Sequence, residues 1–154
     1  MRPSTLTLRD LTFMVVHIDV DMDFTGQALG FDFEGVKIQC CVRHGRQTSD
    51  DSQIWWVGVD FVSVSDEEKR CPYVVEIKAA GLFTVDETIP EDKREAFVYE
   101  SGAAMVYGAI REMVATITGR SVHGPFTLPT ASFFGSFTNH DAAAGKPEDG
   151  ANDE

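Results

Sequence analysis

The sequence predicts an α+β protein: a four-stranded antiparallel sheet followed by one long helix. Two observations carry this. Four segments repeat apolar side chains with the two-residue period of a strand, one of them on both faces, and short polar stretches join them. After them the character changes, and from about Glu91 or Glu95 to Thr118 the residues favour helix.

The first strand is clearest from Val16 to Phe24, where VHIDVDMDF sets Val16, Ile18, Val20, Met22 and Phe24 against His17, Asp19, Asp21 and Asp23. Leu11, Phe13 and Val15 alternate in the opposite phase, so a bulge or a break is expected near Val15 and Val16. After the loop TGQALG, a second strand spans about Gly35 to Arg43, with Val36, Ile38, Cys40 and Val42 inward and Lys37, Gln39 and Arg43 outward. The polar run RHGRQTSDDSQ leads to a third strand, IWWVGVDFVSVS, which is apolar on both faces. Trp55, Val57, Val59 and Phe61 share one face; Ile54, Trp56, Val62 and Val64 share the other, so one tryptophan points away from the core. Beyond the linker DEEKRCP, the fourth strand YVVEIKAAGLFTV places Tyr73, Val75, Ile77, Ala79, Gly81, Phe83 and Val85 on one face. IPEDKRE brings acidic residues to the start of the helix, and Gly119 is its expected stop. RSVHGPFTLPTASFFGSF is a Pro-containing loop ending in three phenylalanines, and DAAAGKPEDGANDE is small, acidic and free of aromatics. A single domain over residues 1–140 and a disordered acidic tail over 141–154 are expected.

With 13 Lys plus Arg against 25 Asp plus Glu, the formal charge of -12 opposes binding to nucleic acid or to anionic membrane surfaces. No apolar run approaches the roughly 20 residues a membrane helix needs, and the N-terminus reads as no signal peptide. Cys40, Cys41 and Cys71 form no CxxC pair and suit free thiols in a reducing cytoplasm.

Asp19, Asp21 and Asp23 open like a calcium loop, but Phe24 holds the sixth position and Gly30 the twelfth, where glycine and glutamate are required. Strict alternation explains them as a solvated strand face, and no metal, cofactor or catalytic residue is expected. A small α+β enzyme or a metal-dependent binding protein using this acidic face is the alternative from another class. His17, His44, His123 and His140 show no catalytic spacing and are expected in surface or core roles. Ala103 to Ile110 are eight consecutive residues without a charge, so both faces of the helix need cover. Either the helix lies across its own sheet with one side weakly apolar, or one face fits the sheet and the other a second protomer, with small residues permitting close approach; the second is the expectation. Trp55 and Trp56 extend the same surplus of apolar surface to the sheet, either buried by helix and oligomer or kept as a groove for extended peptide.

The order of these features, with YVVEIKAAGLFTV and REMVATITGRSVHGPFTLPTASF, resembles the SecB protein-export chaperone family; RDLTF and VKIQ are similar to its first two strands. The resemblance implies a cytoplasmic, cofactor-free and ATP-independent holdase for unfolded preproteins or other non-native polypeptides. It also implies a short terminal helix after the long one, and a homotetramer, a dimer of dimers, with the long helices between dimers. Ala104, Gly108, Ala109 and Arg111 are the expected interface, and Trp55, Trp56, Phe61, Phe83 and Tyr107 the expected client contacts. Asp10, Val74 and Glu76 match positions with which the family docks the export motor SecA, whereas Met14 stands where the family carries glutamate. HIDVDMDF and YGAIRE also depart from export members, and some divergent relatives serve as dedicated chaperones of an antitoxin in toxin-antitoxin systems.

Overall fold

The computed structural model of the chain describes residues 4–47 and 53–138. The elements run β1 (Leu6–Val20), β2 (Lys37–Arg46), β3 (Ile54–Val64), β4 (Tyr73–Val85) and α1 (Glu91–Thr118). The expected sheet and long helix are both present. His140 and the acidic tail lie outside the described residues.

All strand pairs are antiparallel, in the spatial order β1-β4-β3-β2. β2, β3 and β4 follow one another as hairpins. The connection over residues 21–36 instead crosses from one edge of the sheet to the other, a Greek-key arrangement. The β1–β4 register slips between Leu8 and Asp10 and again between Phe13 and Val15. The second slip is the phase change in the sequence: Leu11 and Phe13 face inward before it, Val16, Ile18 and Val20 after it.

Three boundaries differ from the sequence reading. β1 stops at Val20, because its partner β4 begins at Tyr73, and the Phe24 amide closes a turn on the Asp21 carbonyl at 3.2 Å. Met22, Asp23 and Phe24 therefore belong to a turn and loop, not to a strand. β2 runs on to Arg46, paired with Trp55. No short helix follows α1 among the described residues, because Gly124 takes a left-handed φ of 79° and Pro125 and Pro129 interrupt the segment.

α1 begins after Pro90 with Glu91 and Asp92 in its first turn, where negative charge suits the helix dipole. Gly119 ends it in a right-handed conformation, φ -57°, so the glycine is not a left-handed cap. Closure comes from Thr118, whose hydroxyl donates to the Val114 carbonyl at 2.7 Å and accepts the Phe126 amide at 2.8 Å. That bond turns the chain back and sends Phe126 and Leu128 into the core. The helix lies across the inner faces of β3 and β4, over Val57, Val59, Phe61, Tyr73, Val75, Ile77 and Phe83. The approach is close at Gly102, where a Cβ would sit 2.8 Å from Val57 Cγ2.

Candidate functional site

The buried stripe of α1 runs through Val98, Gly102, Ala103, Val106, Tyr107, Ile110, Val114 and Thr118. On its far side Ala104, Met105, Gly108, Glu112 and Thr116 are exposed, and Ser101 and Ala115 partly so. Glu112 is the one charge among these seven. Met105 is 43% exposed, and a Cβ on Gly108 would meet nothing within 4 Å. A stripe of small and apolar side chains thus lacks cover in the single protomer.

The two flanks of the helix differ. Toward β1 a groove of about 240 Å³ lies open between Leu11 and Phe13 on the strand and Ala109, Glu112, Met113 and Thr116 on the helix. α1 leaves the inner face of β1 incompletely covered, so Leu8, Val16 and Val20 stay more than one-third exposed. Toward β2 the chain covers itself with the segment after the helix. The Tyr107 hydroxyl donates to the Pro129 carbonyl at 2.7 Å, and Arg111 Nε donates to the Leu128 carbonyl at 3.0 Å. Burial pushes the Tyr107 phenol up to about 12, so it stays a neutral donor through the ordinary pH range. Phe133 meets the Tyr107 ring edge-on at 5.8 Å, and Phe137 meets Tyr99 at 5.5 Å and His44 at 5.7 Å. The His44 side chain, 3% exposed, lies with Nε2 3.0 Å from Glu95 Oε1.

The outer face of the sheet carries Trp56 and Leu82, paired across β3 and β4 and each 39% exposed. The Trp56 indole lies over Gly45, its cross-strand neighbour, where a Cβ would stand 2.4 Å from Nε1. Val74 and Glu76 are on this face, opposite Asp19 and His17 of β1. Asp10 shares the face but pairs with Leu82, six residues farther along β4 than Glu76 and so about 20 Å away.

Four of the five expected contact residues are core residues. Trp55, Phe61, Phe83 and Tyr107 are buried, because each stands on the face of its element where helix and sheet meet; Trp56 alone of the five reaches the surface. Of the expected interface residues, Ala104 and Gly108 lie on the uncovered side of α1, Ala109 turns toward the β1 groove, and Arg111 is held by the loop carbonyl of Leu128.

Asp21 departs furthest from the solvated face expected of it. Its side chain is only 8% exposed, accepting from the Ser65 hydroxyl at 2.7 Å and from Arg70 Nη1 at 3.1 Å. Chiefly the Ser65 hydroxyl, against the opposing effect of burial and with help from the Asp23 amide and Arg70, holds its carboxyl below the usual carboxylate range. Its carbonyl also lies 2.7 Å from His123 Nε2, a buried ring packed on Phe24 and Tyr73. Asp21 is a structural knot, while Asp19 remains exposed and paired with His17. Among the described residues no three His, Cys, Asp or Glu side chains converge as a metal site, and no helix is long and apolar enough to cross a membrane.

The family model described as "Preprotein translocase subunit SecB" matches residues 33–144, more than half of the chain. No curated protein matches it. Among solved structures the chain is similar to the SecB-like chaperone Rv1957 of Mycobacterium tuberculosis, solved in complex with a ChAD peptide from the Rv1956 HigA1 antitoxin. The TM-score is 0.54 at 17% identity, over 83% of this chain and 91% of that one. A protein of unknown function from Streptococcus agalactiae aligns with a TM-score of 0.47 at 11% identity, over 81% of this chain and 97% of that one.

Proposed function

Because the chain belongs to the SecB family, we propose that it is a chaperone that holds non-native polypeptide in the groove between β1 and α1. Members of this family are chaperones and not enzymes. The observation that carries the proposal is the open apolar flank, Leu11, Phe13, Ala109 and Met113 beside the half-exposed Val16 and Val20. One buried aromatic or aliphatic client side chain contributes about 1.5–3 kcal/mol. A micromolar complex needs about 8 kcal/mol. One groove of this size therefore holds a client weakly, and retention comes from several contacts along one client, multiplied by identical grooves on other protomers. The uncovered side of α1 through Ala104 and Gly108 suits such an assembly, a dimer of dimers.

In this account Ala109→Glu, which puts a charge at the groove mouth, weakens binding of a fluorescently labelled unfolded protein about tenfold, or roughly 1.4 kcal/mol. The sedimenting mass should stay that of the parent. Unchanged affinity would remove the groove from the client site, and a drop in mass would place Ala109 in the interface instead.

Dedication to a single partner is the second reading. It is favoured by the relative solved with an antitoxin peptide and by Met14 and HIDVDMDF, which depart from the export pattern. The outer face, with Val74 and Glu76 adjoining and Asp10 apart, is the surface on which an export motor such as SecA would dock. Binding of the purified motor, measured by titration, separates export from dedicated service.

A further inference from the structure

The two edges of the sheet differ. β1 slips in register twice, whereas β2 pairs with β3 without a break from Lys37 to Arg46. Just beyond β2 the Gln47 amide donates to the Ile54 carbonyl at 2.8 Å, which fixes the alternation of bonds along this ladder. Cys41, Arg43 and Gly45 therefore bond toward β3, while Ile38, Cys40, Val42 and His44 turn their amides and carbonyls to the open side. A regular edge of this kind is a template for another strand. Two features of the outer face lie beside it. The Trp56 indole, 39% exposed, reaches from β3 onto Gly45 of β2, where a Cβ would stand 2.4 Å from Nε1. Strands lie about 4.8 Å apart, so an indole seated over Gly45 has crossed to the last strand of the sheet. Toward the other end of β2 an open dish of about 400 Å³ is lined by Val36, Lys37, Ile38, Gln39, Val62 and Val64.

We propose that the open edge of β2 is an interface between two copies of this chain, related by a two-fold axis at Cys41, in which Trp56 of each copy enters the apolar dish of the other. A two-fold contact must complement itself, and antiparallel pairing about Cys41 does so. Cys40 faces Val42 of the second copy and Ile38 faces its His44; these are the positions with free backbone groups, so each pair exchanges hydrogen bonds. On the outer face Arg43 meets Gln39 and Lys37 meets Gly45, so no two charges stand opposite each other. Both cations are held within their own chain, Lys37 by Asp66 and Arg43 by Asp60, each at 2.7 Å. Because Gly45 lies opposite Lys37 of the second copy, the indole above Gly45 comes against the second copy's dish, beside its Lys37 and Val64. Symmetry forms the same contact a second time. The absence of a side chain at Gly45 is what lets the indole lie low enough over β2 to reach the neighbouring strand. This interface is separate from the stripe on α1, and it does not depend on what the β1 groove holds.

Cys41 is the reporter. On the axis it occupies a non-hydrogen-bonded position, where the two Cα atoms stand about 4.5 Å apart and within disulfide range, whereas Cys40 of the two copies would lie diagonally at about 7–8 Å, outside it. The test uses the full chain as two variants, Cys40→Ser, which leaves Cys41 exposed, and Cys41→Ser, which leaves Cys40 exposed; Cys71 is buried in both. Each is treated with diamide, which takes up the two hydrogens of a thiol pair, and the disulfide-linked dimer is followed on non-reducing gels, with far-UV circular dichroism confirming the fold. Cys40→Ser should cross-link about tenfold faster than Cys41→Ser. Adding Trp56→Ala should slow that reaction about tenfold. Val64→Asp, which puts a charge in the dish at an exposed position, takes its place should Trp56→Ala fail to fold. Equal rates for the two cysteines, or a Cys41 rate that neither Trp56→Ala nor Val64→Asp changes, mean chance collision and overturn the proposal. Cys41 that links to an added unfolded protein instead of to its own kind makes the edge a client site and overturns it too. Loss of the cross-link in Gly108→Trp would assign the proximity to the α1 contact.

Discussion

At Asp21 one carboxylate joins the end of β1 to the β3–β4 linker through Ser65 and Arg70, while the same residue's carbonyl meets His123 of the segment after the helix. A carboxyl held below its ordinary range stabilises the fold above the pH at which the unfolded chain's carboxyl protonates. That contribution is lost as pH falls through the lower folded value. Urea unfolding should therefore show the parent more stable than Asp21→Asn at pH 7, with the gap narrowing below about pH 4. A gap that persists unchanged at pH 3 would mean that the charge contributes nothing. Nothing in DxDxD distinguishes Asp21 from Asp19, because their difference lies in Ser65, Arg70 and His123, far away in sequence. The same holds for Trp55, Phe61 and Phe83 on the strands. Alternation told which face each occupies, but not that α1 would cover that face rather than leave it open.

Among the elements, β4 was legible to the residue and β3 to within one residue at its end, since their inner faces are the alternating sets in the sequence and both lie in the middle of the sheet. The ends of β1 and β2 were not, because an edge strand stops where its single partner stops and the sequence holds no mark of that partner. The strand order was also beyond local pattern, for it depends on where the 21–36 connection carries the chain. The helix shows what packing requires of a residue with poor helix propensity. Gly102 lies against Val57 and the ring of Phe83, with a Cβ at 2.8 Å from one and 3.3 Å from the other. Gly102→Ala gains propensity but overfills this contact, and a net loss of about 1–3 kcal/mol is expected in chemical denaturation. A more stable variant would show that helix and sheet separate at little cost.

At the scale of the whole molecule, the eight consecutive residues without a charge divide between the two sides of α1: the sheet covers one side, and the stripe through Ala104 and Gly108 is exposed in the single protomer, where the proposed assembly would cover it. Gly108→Trp separates protomer from assembly, because the new side chain meets open space within its own chain. The expected outcome is an unchanged far-UV circular dichroism spectrum and a lower sedimenting mass; an unchanged mass would move the interface elsewhere. The central claim is that apolar surface left open beside α1 holds non-native polypeptide without metal or nucleotide. It is tested most directly by diluting a chemically unfolded protein into buffer with chelator and no nucleotide, and following light scattering with and without this chain. Suppression at near-stoichiometric amounts is the predicted result, and scattering that rises equally in both samples would contradict the account.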